Sequence, residues 1–148
     1  MNKKDLEFFF ANQNNLCVSG ASNEQITSIN IKLSEKNIPQ IPDSYIKFLQ
    51  KTNGFNFDGL EFFGTEDITR EEKRYIFPSL LSSNQDFANY EFFANKLIIG
   101  IISENFIIYN AENKNYAIID TINLHTLEEF SSFDTLFNYL TKLCSPSI

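Results

Sequence analysis

The chain has 148 residues, of which 43% are apolar, and its 19 acidic and 12 basic side chains leave a formal charge of −7. That length suits one domain spanning residues 1–148, able to bury about 70% of its unfolded surface with no covalent or metal staple. The charge excludes a nucleic-acid binder, which needs a basic face to displace counterions from phosphates, and it disfavours an anionic membrane surface.

The two cysteines, Cys17 and Cys144, lie far apart, and His125 is the only histidine. A structural zinc needs about four N or S ligands, so neither a metal nor a cofactor is expected. Unpaired thiols without a secretion signal point to a reducing compartment, the cytoplasm. The composition includes 16 Phe and 6 Tyr with no Trp. Each buried aromatic removes about 150–250 Å² from water, so phenylalanine is expected to dominate the core.

In chain order, Lys4 to Asn12 predicts a short helix with Leu6, Phe9 and Phe10 on one side. Ser22 and Gln25 stand at capping-box spacing, and Ile26, Ile29 and Leu33 follow at helical spacing. Pro42 suits the first turn of the next helix, where its missing N–H costs nothing, and Asp43 complements the helix dipole. Tyr45, Phe48 and Leu49 form the inward face of this helix. Asn53-Gly54 ends it with a left-handed cap. Asp58-Gly59 between alternating apolar residues predicts a hairpin that pairs Phe57 with Leu60 and Phe55 with Phe62. Asn56 and Glu61 then face the other way. Thr65 to Lys73 reads as a polar loop or helical turn, Tyr75 to Phe77 as a short apolar stretch stopped by Pro78, and Ser82-Ser83-Asn84 as a loop.

Leu97 to Ile102 is a continuous apolar run, as expected of a central strand buried on both faces. Phe106 to Tyr109 and Tyr116 to Ile119 read as further strands joined by a hairpin loop. A last helix capped by Ser131 or Ser132 buries Phe133, Leu136, Phe137, Leu140 and Cys144. The order of helices, antiparallel meander and closing helix predicts an α+β fold with helices on one sheet face.

The segment Ile41-Pro42-Asp43-Ser44-Tyr45-Ile46-Lys47-Phe48-Leu49, followed by Thr52-Asn53-Gly54, resembles the SUKH superfamily, typified by the Smi/Knr cell-wall assembly regulators. Leu97-Ile98-Ile99-Gly100, Phe106 to Asn110 and Glu129-Phe130-Ser131-Ser132-Phe133 resemble later features of the same family, in the same order. The similarity spans residues 22 to 143. Many members carry a Trp early in the sheet, where this chain has none. The resemblance implies a non-catalytic protein-binding domain: a bacterial immunity protein that neutralises a cognate toxin domain, often a nuclease, or a regulatory module of the same fold. The matched residues would set the fold: Pro42, Tyr45, Phe48, Asn53, Gly54, Asp58, Gly59, Gly100, Tyr109 and Phe133.

No nucleophile elbow or phosphate-binding glycine loop is present. His125, the only imidazole available to a hydrolytic triad, lies between Leu124 and Thr126 in no recognisable catalytic setting, so a small enzyme with an unrecognised site near it or the paired acids is the third reading, after the two binding ones. The acidic pairs Glu66-Asp67, Glu71-Glu72 and Glu128-Glu129 fit a solvated face better than acid–base pairs. Residues 58 to 72 carry six acids, Asp58, Glu61, Glu66, Asp67, Glu71 and Glu72, against the single base Arg70, a local net of −5. A contiguous surface of that kind could mimic the phosphates that a basic nuclease expects. The expected partner is a protein, such as a basic toxin domain, and the chain itself a monomer or homodimer.

Overall fold

Ser22 opens helix α1 (Asn23–Glu35) with a complete capping box. Its hydroxyl accepts from the Gln25 N–H at 3.1 Å, and the Gln25 amide oxygen accepts from the Ser22 N–H at 2.9 Å. In this computed structural model the described residues are 16–17, 19–57, 59–70 and 75–144. The expected helix over Lys4 to Asn12 lies outside them, as do Asp58, Glu71, Glu72 and the side chains of Cys17 and Cys144. Ile26, Ile29 and Leu33 form the buried stripe of α1.

Helix α2 (Asp43–Lys51) buries Tyr45, Phe48 and Leu49. Pro42 stands one position earlier than expected, as the extended residue before the first turn. Thr52 ends the helix, and Gly54 reverses the chain at φ +105°, a conformation that L side chains adopt only with strain.

The chain then enters a seven-stranded antiparallel sheet of order β1-β2-β3-β6-β7-β8-β9. Its strands are β1 (Leu16–Cys17), β2 (Phe55–Phe57), β3 (Leu60–Phe62), β6 (Lys96–Ile102), β7 (Asn105–Asn110), β8 (Asn115–Ile119) and β9 (Thr126–Phe130). The β2–β3 hairpin pairs Phe57 with Leu60 and Phe55 with Phe62, as its Asp-Gly turn predicts. Gly100 on β6 pairs with Phe62. A Cβ at this glycine would stand 2.2 Å from the Glu61 carbonyl oxygen, so any side chain there would push β3 away.

Two aromatic clusters occupy opposite faces. Phe62 and Ile107 flank Gly100 in register on one face. There Phe62 meets Phe48 of α2 at 5.1 Å and Phe133 of the closing helix α4 (Phe133–Cys144) at 5.7 Å between ring centroids. Phe133, Leu136, Phe137 and Leu140 of α4 are fully buried. Phe106, the neighbour of Ile107 along the strand, points to the other face. It packs edge-on against Phe87 at 5.6 Å and Phe93 at 5.9 Å. The expectation of helices on one face therefore holds for α2 and α4, while a second apolar layer covers part of the reverse.

Residues 63–95 depart most from expectation. Ile68–Arg70 is a strand, β4, paired with β5 (Tyr75–Phe77) in a separate two-stranded ribbon. Ser82-Ser83-Asn84 lies within a helix, α3 (Leu80–Gln85), and not in a loop. A six-residue helix is too short to form alone. Tertiary bonds hold it. The Ser79 hydroxyl caps the Ser82 N–H at 3.1 Å, the Asp67 carboxylate accepts from the Ser79 N–H at 2.7 Å, and the Leu80 N–H donates to the Gly64 carbonyl at 2.9 Å.

Candidate interaction surface

Most residues of the expected motif are committed to internal bonds. Tyr45 is fully buried, and its hydroxyl donates to the Phe63 carbonyl at 2.5 Å and lies 3.1 Å from the Ile99 carbonyl. Burial holds this phenol un-ionised well above its ordinary range, with nearby Tyr116 adding to the effect. Tyr116 is pushed up to about 12, chiefly by burial, although a hydrogen bond from Ser44 opposes the rise. Asn53 clamps Thr65: its carbonyl oxygen accepts from the Thr65 N–H at 2.7 Å, and its amide donates to the Thr65 hydroxyl at 2.8 Å. Phe48 and Phe133 pack in the core with their rings tilted by 57°, and half-buried Tyr109 packs on Tyr116 at 5.1 Å. Gly59 takes φ +87° in the hairpin turn.

The acidic stretch 58–72 is spread over several elements. Glu61 is half-buried on β3, paired in register with Asn56 and Ile101. Glu66 is exposed and borders a depression of about 270 Å³ that Lys32 of α1 also lines. Asp67 caps the approach to α3, and the Ser82 hydroxyl donates to both its oxygens at 2.8 and 3.0 Å. These bonds, led by that from the Ser79 backbone, hold its carboxyl below the ordinary carboxylate range. Glu71 and Glu72 belong to the β4–β5 connection, outside the described residues. Asp67 thus has an architectural role that its acidic neighbourhood in the sequence hid.

His125 is exposed in the turn between β8 and β9. Its N–H donates to the Asn123 side chain at 2.9 Å, and its carbonyl accepts from the Asp120 N–H at 3.0 Å. The Asp120 carboxylate accepts from the N–H groups of Ile122 and Asn123, so this turn is firmly braced. Among the described residues, no group of three or more His, Cys, Asp or Glu is placed to hold a metal ion. No helix among them is long and apolar enough to cross a membrane.

Beyond this turn runs β9, which sequence periodicity did not reveal. Thr126 to Glu129 are all exposed and only Phe130 is half-buried, against Tyr139 of α4 at 5.2 Å. Polar residues without alternation give no strand signal. Among the described residues β9 pairs only with β8, so it forms one margin of the sheet. Glu128 and Glu129 project from it on opposite faces, without an ion pair to any described residue.

No protein-family model and no curated protein matches this chain. Its architecture and surface chemistry therefore carry the functional reading.

Proposed function

We propose that this chain is a non-catalytic protein-binding domain of the SUKH kind, acting in the bacterial cytoplasm as an immunity protein that holds and neutralises a cognate toxin domain. One observation carries the reading. Helix α2 delivers the chain through Asn53 and Gly54 into the β2–β3 hairpin, with Tyr45, Asn53 and Gly100 each committed to internal bonds or close backbone contacts. This is the path that the resemblance implies, and it leaves the polar, acidic exterior as the part able to work. The exposed setting of His125 supports the same view, because a general base needs a positioned partner and a sheltered substrate.

Co-expression with a toxin domain found encoded in a neighbouring gene tests the proposal. Growth protection together with a stable purified complex supports it. Toxicity that the chain does not relieve, with no complex formed, rejects it. A gene neighbourhood lacking any toxin would favour the second reading, a regulatory module of the same fold.

A further inference from the structure

We propose that the outer margin of β9 is a strand-addition site that takes an extended, lysine- or arginine-bearing segment of a partner protein. This rests on the reading that the chain works by binding protein, and it names the surface and the chemistry of what binds.

A terminal strand presents backbone N–H and C=O groups with no partner, which is a template for one more strand. Proteins usually blunt such margins with proline, charged side chains, a bulge or a covering element. Thr126–Phe130 contains no proline, and its charged side chains are both acidic, which repels a like strand and admits a basic one. Opposite the step from Ile118 to Ile119 of β8, β9 moves two residues, from Glu128 to Thr126, so Leu127 is a single bulged residue and the regular ladder of β9 is Glu128–Phe130. The braced turn at Asp120 to His125 holds the start of the strand, and Phe130 on Tyr139 anchors its end. The template is therefore set before anything binds, which lowers the entropy cost of association.

Charge decides the occupant. Glu128 and Glu129 mark the middle of the strand, one on each face. A two-fold pairing of two copies centred on Glu128 would set both Glu128 side chains against each other. Centring it on Glu129 would set both Glu129 side chains against each other. Like charges directly opposite destabilise a strand pair, so a second copy is disfavoured. A strand with basic side chains on both faces meets both carboxylates, and the net charge of −7 draws it in. Exposed Leu127 and the Ile122 side chain, 48% and 93% accessible, add apolar contact beside the charges.

The test uses the full, isotope-labelled chain and a synthetic eight-residue probe, Thr-Lys-Val-Lys-Lys-Val-Lys-Thr. Amide shifts and slowed hydrogen exchange confined to residues 125–130 are expected. N-methylation of alternate probe amides keeps the charge but removes the main-chain bonds, and should weaken binding at least tenfold. The double substitution Glu128→Lys and Glu129→Lys should do the same. Equal binding of the methylated and unmethylated probes overturns the proposal, as do perturbations centred elsewhere or none at β9 at millimolar probe. Should the double variant fail to fold, the methylated probe on the unaltered chain still decides. A toxin domain found in a neighbouring gene separates the two readings. Unchanged toxin affinity in the folded double variant refutes the β9 site and leaves protein binding standing. Absence of any toxin complex, with the probe seated on β9 and both controls met, rejects the immunity reading alone.

Discussion

The side-chain amide of Asn84 pairs with the backbone of Ile98 as a neighbouring strand would. Its oxygen accepts from the Ile98 N–H at 2.7 Å, and its nitrogen donates to the Ile98 carbonyl at 2.8 Å. The second amide proton goes to the Leu80 carbonyl at 2.7 Å. Strand β3 ends at Phe62, opposite Gly100; the Phe63 N–H still reaches the Ile99 carbonyl, and beyond it the Asn84 side chain takes the next place along β6. Replacing it with leucine leaves a buried N–H and two carbonyls with less than their full complement. Asn84→Leu should cost about 3 kcal/mol, read from the urea midpoint, and Asn84→Asp should also destabilise by losing both donated bonds. A loss below about 0.5 kcal/mol would refute the strand-surrogate role.

Gly100→Ala brings a methyl group against the Glu61 carbonyl, where backbone and not a pliant side chain must yield. The expected cost is about 3 kcal/mol, with faster amide exchange in β3 than in β7. Uniform exchange across the sheet would contradict the local clash.

Tyr45 and Tyr116 both have raised pKa values in the fold. A group that holds its proton more tightly when folded stabilises fully below its unfolded pKa, here near 10, and loses that contribution as pH rises through the folded value. Stability should therefore fall from about pH 10 upward, and these phenols should ionise together with unfolding. Absorbance at the phenolate band, recorded beside circular dichroism, tests this. Smooth ionisation of every tyrosine near pH 10 in an intact fold would sink it. Tyr45→Phe removes the bond to the Phe63 carbonyl, should cost about 1 kcal/mol, and should flatten the alkaline slope.

Asp67 has the opposite sign. Its carboxyl is held below the ordinary 3.8, so its contribution is present above that value and is lost as pH falls through the lower folded one. The side chain is largely exposed, so Asp67→Ala should cost only about 1 kcal/mol, comparable to losing a helix cap. The acid limb of the stability curve should also become shallower. An identical acid limb in the variant would refute the role.

If the acidic stretch steers a basic partner, replacing Glu66, Glu71 and Glu72 together by serine should slow association at least tenfold at low salt and leave dissociation nearly unchanged. Stopped-flow association across a salt series tests it. Salt-independent rates would place the contact elsewhere.

Local rules read well where periodicity and turn chemistry agree. Ser22 with Gln25, Tyr45 with Phe48, and Asp58-Gly59 between phenylalanines each specify structure from a few adjacent residues. So does the apolar run Leu97 to Ile102. What the sequence concealed depends on distant partners. Ser82 to Asn84 has loop composition, and it is helical because Ser79, Asp67, Gly64 and Ile98 satisfy it from elsewhere. Strand β9 has four exposed residues in a row, so no buried face left a period in the sequence. The same exposure that hid it from pattern reading makes it the candidate contact strand. Asp67 counted as surface charge because its partners are twelve and fifteen residues away.

The β4–β5 ribbon is closed at its base, where Gly64 bridges Ser79 and Asn53 clasps Thr65. A ribbon tied off at its base transmits little of what happens at its far end. Insertions in the ribbon can accumulate while the sheet keeps its register, since extending a closed loop costs little entropy. Descendants of this gene can accordingly diversify the ribbon faster than the strands of the sheet, trying new surfaces on an unaltered frame.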